Sequence, residues 1–345
     1  MPATRLPDPK EPHQGPTIRN AWGFGPSVCA ALLGASFLVG LGTSMAVPSR
    51  AGEGPVGADK GQPIEMGQVG WGRDLAEAKA AAATTGRPLF VIFQEIPGCS
   101  TCQNFGRGPL SHPLVVEAIE TEFVPVLVYN NRDGEDGRIR QSFGEPAWNN
   151  PVVRFLNVDG DDLIARRDGV WSTEGVVSRM VGALEAANRP VPAYLRLAQE
   201  EAASTSTKEF TLAVHCFWEG AAAVGGIDGI TGVEAAFLGG REVIDVTYVA
   251  AEHTARLLAE AIRRARPSAV YVREQTQLEA ADGAAELLSQ PTRRAPDSDQ
   301  LYYLRHSPYA KLELTKLQQI RVNAALGSGG SAEAWLSPRQ RARLH

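Results

Sequence analysis

Residues 94–103 read QEIPGCSTCQ, with two thiols, Cys99 and Cys102, directly after the apolar run PLFVIF at 88–93. A strand that ends in Pro-Gly and continues as Cys-x-x-Cys at a helix start has a definite chemistry. Amides at a helix N-terminus stabilise an anion, so the first thiol, Cys99, ionises more readily and becomes the nucleophile. Cys102, one helical turn on, can then attack the mixed disulfide that Cys99 forms. A zinc site needs two further ligands. The chain has no second Cys-x-x-Cys and no His-x-x-x-His, and His112 and His215 stand singly. A permanent Cys99–Cys102 staple closes a tiny loop and contributes little to folding. Redox activity is the favoured reading, with metal binding and an inert staple as alternatives.

Two cysteines remain, Cys29 and Cys216. Four in 345 residues are too few for a disulfide scaffold, so each needs its own explanation. Cys29 lies in an apolar N-terminal segment without a lipobox and reads as inert. Cys216 ends the strand-like run FTLAVH at 210–215. The apolar fraction of 43% and charged fraction of 21% belong to a globular protein long enough for two cores. A net charge of −5, with no basic stripe carrying interleaved aromatics, argues against a nucleic-acid partner.

The positioning elements follow from pattern. Residues 22–47 are uncharged and long enough to cross a bilayer, and Arg5, Lys10 and Arg19 precede them. They are expected to be a transmembrane anchor or a signal peptide, with 1–21 as a cytoplasmic tail and everything after about residue 50 exported. Residues 48–69, rich in Gly, Pro and charge, read as a flexible linker. A helix is expected from Asp74, with Glu77 completing a capping box, to Gly86. Strand LFVIF, a helical stretch at 113–122 and strand FVPVLVY at 123–129 make a βαβ unit. A hairpin turning at NVDGDD follows, and Val176, Val177, Met180, Val181 and Leu184 share one face of a closing helix. The segment NRPVP at 188–192 and the polar QEEAASTSTKE mark a boundary. Beyond it come strands VEAAFL and EVIDVTYV, and a helix from about Glu252 to Ala265 with Leu257, Leu258 and Ile262 on one side.

Over residues 70–190 the strand–Cys-x-x-Cys–helix order, with WNNPVVRF further on, resembles the thioredoxin superfamily. The resemblance puts Pro151 at that family's cis-proline, the position facing the disulfide; a plain strand-entry proline is the alternative. IPGCSTC, LSHPLVVEAIETEFVPVLVYNN and FGEPAWNNPVVRFL are similar to a bacterial thioredoxin-like group marked by Val-Pro-Gly and then Cys or selenocysteine. Ile96 replaces the Val, Gly98 stands where thioredoxin has Trp, and Ser100-Thr101 replaces Gly-Pro.

Residues 208–325 carry a second resemblance. VHCFWEG, with GGREVIDVTY downstream, is similar to the A-type peptide methionine sulfoxide reductases. The resemblance implies a ferredoxin-like α+β sandwich in which Cys216 attacks the sulfoxide sulfur. Phe217 and Trp218 would pocket the methyl group, Phe237 would replace a Tyr, and Glu242 would protonate the departing oxygen. A carboxylic acid in an apolar pocket suits that task. Plain core packing of Cys216, Phe217 and Trp218, and a solvated strand position for Glu242, are the alternatives. His215 replaces a Gly and the Gly-x-Glu that follows is broken. The family's downstream Asp and Tyr motif has no clear counterpart, though DSDQLYYLRHS at 297–307 offers Asp299, Tyr302 and Tyr303.

The whole reads as an α/β (α+β) chain: N-terminal membrane segment, thioredoxin fold, sulfoxide-reductase-like sandwich, and a C-terminal tail at 326–345. No cysteine follows Cys216 to resolve it locally, so Cys99/Cys102 are expected to supply its electrons. The implied partners are thiol or methionine-sulfoxide proteins and peptides, a membrane thiol donor, and the membrane itself. The implied place is the bacterial cell envelope, anchored and facing the periplasm or outside, or secreted to the periplasm. The couple itself is the only cofactor expected, with no metal. One alternative is a general thiol–disulfide oxidoreductase with a degenerate, client-binding second half. The other, of a different class, is a metal-binding protein or metallochaperone.

Overall fold

The computed structural model describes residues 61–147, 151–204 and 206–344. The expected tail 1–21, the anchor or signal segment 22–47 with Cys29, and the linker up to residue 60 lie outside the described residues. Among the described residues no helix is long and apolar enough to cross a membrane.

Asp74 caps helix α1 (Leu75–Thr85) as the sequence expects, its Oδ1 accepting the amides of Ala76 and Glu77. Among the described residues the return bond from Glu77 that a capping box needs is not formed. Gly86 closes the helix in the left-handed region at φ 67°. Strand β1 (Leu89–Gln94) is buried along its whole length, the mark of a central strand covered on both faces. Helices α2 (Ser100–Arg107) and α3 (Pro113–Thr121) lead to β2 (Val124–Tyr129), which pairs parallel to β1. Helix α4 (Glu135–Ser142) precedes β3 (Val152–Leu156), antiparallel to β1, and the sheet order is β2-β1-β3. Helix α5 (Thr173–Ala186) buries Val176, Val177, Met180, Val181 and Leu184, the face expected from their spacing.

The expected hairpin after β3 shrinks to a single bridge, Leu156 to Asp162. Asn157 Oδ1 gathers the amides of Asp159, Gly160 and Asp161, which tightens the turn. The chain then leaves the sheet, and Arg166 pairs with Glu145 and Asp168.

The polar boundary is itself helical. Helix α6 (Ala193–Ala203) packs Tyr194, Leu195 and Ala198 into the first core. From its other side Glu200 Oε1 accepts the Gly229 amide at 2.9 Å and the buried Arg321 at 2.7 Å. The second half runs β4 (Thr207–Ala213), α7 (Phe217–Val224), β5 (Ile230–Leu238), β6 (Arg241–Val249), α8 (Thr254–Ala265) and β7 (Ala269–Val272). Helix α9 (Gln275–Ala280) and the short strands β8 (Glu286–Leu287) and β9 (Arg293–Arg294) follow, giving the order β8-β7-β4-β6-β5-β9. The four main strands β7-β4-β6-β5 are antiparallel to one another, in the split βαβ strand order, and β8 joins β7 in parallel. Helices α10 (Tyr302–Arg305), α11 (Lys316–Gly327) and α12 (Pro338–Ala342) complete the chain.

Residues 326–344, expected as a tail, are folded onto the first half. Glu117 of α3 accepts the Ser337 hydroxyl at 2.5 Å and the Arg339 amide at 2.6 Å, and Arg339 pairs with Glu120.

Candidate functional site

Cys99 is the N-cap of α2 and is exposed, whereas Cys102 is buried one turn in, with the sulfurs 3.7 Å apart. Sequence spacing and structure agree on both positions. The Cys99 thiol lies below its ordinary range, chiefly because the backbone amide of Cys102 points at its sulfur. Burial is the next-largest effect and opposes it, and hydrogen bonds from the Cys102 side chain and from Thr101 add to the lowering. The Cys102 thiol is pushed up to about 12, first by burial and then by its hydrogen bond with Cys99. The pair is therefore asymmetric: an accessible sulfur that favours the thiolate beside a protected one that keeps its proton.

The loop before the pair needs Gly98. A Cβ there would stand 2.3 Å from the Glu95 carbonyl oxygen and 2.6 Å from Cys102 Cβ. A large residue at this position is impossible with this backbone, which explains why Gly stands where thioredoxin has Trp. The Gly98 amide donates to Glu65 Oε1 at 2.8 Å, and Gln94 Nε2 bridges the Glu65 and Cys102 carbonyls at 2.9 and 3.2 Å. Glu65 is 4% exposed and belongs to a 3-10 turn, Ile64–Met66. Composition assigns this segment to a linker, but it is folded and lies against α2. The approach is so close that a Cβ on Gly106 would stand 1.9 Å from the Ile64 carbonyl oxygen. Sequence reasoning missed Glu65; its only signal is the glycine at 106, whose meaning depends on the packing.

Pro151 is buried at the head of β3. Phe93 pairs with Val152, so the register carries Pro151 to the end of β1 that feeds the cysteine loop. The peptide joining it to Asn150 lies outside the described residues, as does the cis geometry expected of it. Its carbonyl oxygen accepts the indole N–H of Trp171, a 43%-exposed ring. The segment leading to Pro151 is braced by Glu145, whose buried carboxylate takes Arg154 at 2.7 Å and Arg166 at 2.6 Å. Burial alone would raise this carboxyl, but the hydrogen bonds from Arg166 and Arg154 outweigh it and hold the group below its usual range.

The second constellation also assembles. Cys216 is the half-buried N-cap of α7, and Glu242 of β6 accepts the Phe217 amide on Oε2 at 2.9 Å. Phe237 stands opposite Glu242 in the β5–β6 ladder and meets Phe217 edge-on, with ring centroids 5.6 Å apart. Trp218 stacks flat on Tyr302 at 3.9 Å. Tyr303 is held above its ordinary range by burial and then by the charges of Glu219 and Cys216. The close approach of α11 explains Gly327, whose Cβ would meet the Tyr303 ring at 2.7 Å. Asp299 sits half-buried in the turn Asp297–Asp299 and makes no side-chain hydrogen bond to this cluster among the described residues. Phe217, Trp218, Phe237 and Glu242 thus gather around the start of α7, with Tyr302 and Tyr303 added from α10.

Comparison with known proteins bears on the first of these sites. Residues 70–157 match the model of a thioredoxin-like family. A search of curated proteins finds no match. A solved structure titled "DsbH Oxidoreductase" shares 18% identity, covers 37% of this chain and 92% of its own, and superposes with a TM-score of 0.30. Residues 70–157 form a thioredoxin-like domain, and Cys99 and Cys102 are its close cysteine pair, as in thiol–disulfide oxidoreductases.

Proposed function

We propose that this chain is a thiol–disulfide redox protein of the bacterial cell envelope in which Cys99 and Cys102 pass electrons to Cys216. The observation that carries the proposal is the asymmetry of the pair: exposed Cys99 favours the thiolate, and buried Cys102 holds its proton. That ordering suits attack by Cys99 and release by Cys102.

The second half is proposed to work as a methionine sulfoxide reductase. Cys216 attacks the sulfoxide sulfur, Glu242 supplies the proton to the departing oxygen, and the products are methionine and a Cys216 sulfenic acid. The Cys99 thiolate then forms a disulfide with Cys216 and releases water. Cys102 attacks Cys99, which frees Cys216 as a thiol and leaves a Cys99–Cys102 disulfide. An exported or membrane dithiol donor reduces that disulfide and is itself oxidised. Support for a sulfoxide pocket comes from Phe217, Trp218 and Phe237 around the Cys216 turn, with Glu242 at the same helix start. The uncharged segment 22–47 supports export.

A second reading has one observation in its favour. Glu242 caps α7 through the Phe217 amide, a structural task that a non-catalytic, client-binding half would also need. Turnover of the S and R epimers of a methionine sulfoxide peptide, driven by dithiothreitol, separates the two. The first reading requires S-epimer reduction that Cys216→Ser abolishes. Reduction of neither epimer, with insulin disulfides still reduced through Cys99, establishes the second.

A further inference from the structure

Glu95 ends the connection between β1 and the cysteine loop, and its carboxylate lies with the sulfurs of Cys99 and Cys102 in one group. All three ligand atoms are within 4.8 Å of one another. From sequence alone a metal at this pair lacks ligands, because no distant cysteine or histidine pairs with it. The fold supplies the third ligand from inside the motif. Among the described residues no hydrogen bond or ion pair holds the Glu95 carboxylate, in contrast to Glu65, whose Oε1 is taken by Gly98.

We propose that the reduced protein binds one zinc-type divalent cation through Cys99, Cys102 and Glu95. Two thiolates at about 2.3 Å from a tetrahedral zinc stand about 3.8 Å apart. The dithiol presents its sulfurs at 3.7 Å, so both can ligate without moving the helix start. The Glu95 oxygen closes in by about 1 Å to reach a tetrahedral edge, a side-chain rotation within a half-buried loop. Two thiolates and one carboxylate suit a borderline cation, and the fourth position stays open to water or a client group. Binding takes one cation from solution and releases to solvent the Cys102 proton, together with the Cys99 proton in those chains that still carry it. It changes no oxidation state. Metal-bound sulfurs cannot form the Cys99–Cys102 disulfide or attack a client, so metallation and oxidation exclude each other. The cation becomes a brake on the couple, distinct from the electron relay and not dependent on it.

Zinc titration of the pre-reduced full-length protein against a chromophoric chelator, with cobalt(II) as a spectroscopic probe, tests the proposal. The expected result is one zinc per chain, with proton release on binding, thiolate-to-cobalt charge-transfer bands, and no uptake by protein oxidised to the disulfide. Glu95→Gln lowers the affinity about tenfold or more, since even an outer-shell ligand partner is worth 10–100-fold. Cys102→Ser removes the charge-transfer pattern of two thiolates. The Glu95→Gln loss is read in binding, so it stands whatever the turnover assay gives. Uptake by the oxidised protein, substoichiometric uptake, or a Glu95→Gln affinity equal to wild type overturns the site.

Discussion

Gly98 donates its amide to the buried Glu65 carboxylate at 2.8 Å, joining the turn before the first helix to the loop that carries Cys99. This bond reaches across 33 residues and fixes a loop that contains no regular structure of its own. Replacing Glu65 with Ala leaves the Gly98 amide without its partner, while the Gln94 bond to the Glu65 backbone carbonyl is kept. An unmet buried donor costs about 1–3 kcal/mol. Chemical denaturation is expected to show that loss, together with faster alkylation of Cys102, whose burial depends on the loop staying closed.

Gly98→Ala tests the same loop from inside. The added Cβ falls 2.6 Å from Cys102 Cβ and 2.3 Å from a backbone oxygen, so Cys102 or the loop must shift. Overpacking of this kind costs about 1–3 kcal/mol. A crystal structure or thiol-reactivity profile of Gly98→Ala with an unmoved Cys102 would show that the contact is not as tight as stated.

The two thiols are expected to separate on a pH scale. Alkylation requires the thiolate and rises with pH through each thiol's own midpoint. In Cys102→Ser the Cys99 rate retains a midpoint below the ordinary thiol range, because its helix-start amides remain. In wild type Cys102 stays unreactive until close to pH 12, where burial places it. Measured rates of iodoacetamide modification, residue by residue, check both, and a Cys102 that reacts before Cys99 contradicts the assignment.

Glu145 carries the chain towards Pro151 and is paired with Arg154 and Arg166 while fully buried. Glu145→Gln leaves Arg154 and Arg166 without their buried counter-charge and is expected to destabilise by about 3 kcal/mol. The wild-type carboxyl is held below its unfolded value, so its stabilisation is complete above the unfolded value, near 4.3, and disappears as pH falls through the folded one. Urea midpoints between pH 7 and pH 3 should therefore fall more steeply for wild type than for Glu145→Gln.

Much of this was legible in residue order, for physical reasons. The apolar run 88–93 can only be a covered central strand, Asp74 before a helix-forming stretch is a cap, and the spacing of Val176, Met180 and Leu184 defines a face. Cys99 and Cys102 follow from motif spacing at the end of a strand, whereas Cys216 and Glu242 are singled out only by a family resemblance. What stayed hidden depends on long-range packing. Glu65 and Glu95 sit in segments with no periodicity, and their places are set by the glycines at 106 and 98. The docking of Ser337 and Arg339 on Glu117 joins residues more than 200 positions apart, and no local pattern announces it. The lost hairpin after β3 reflects competition, in which Asn157 satisfies the turn amides that a ladder would otherwise use.

Electron transfer from Cys99 to Cys216 is the step on which the proposed relay depends. Cys102→Ser, pre-reduced and then exposed to a methionine sulfoxide peptide without added reductant, traps the intermediate because the resolving thiol is missing. Non-reducing peptide mapping by mass spectrometry is predicted to recover a Cys99–Cys216 disulfide, with one methionine formed per chain. A Cys216 sulfenic acid that accumulates beside a free Cys99 thiol would contradict it.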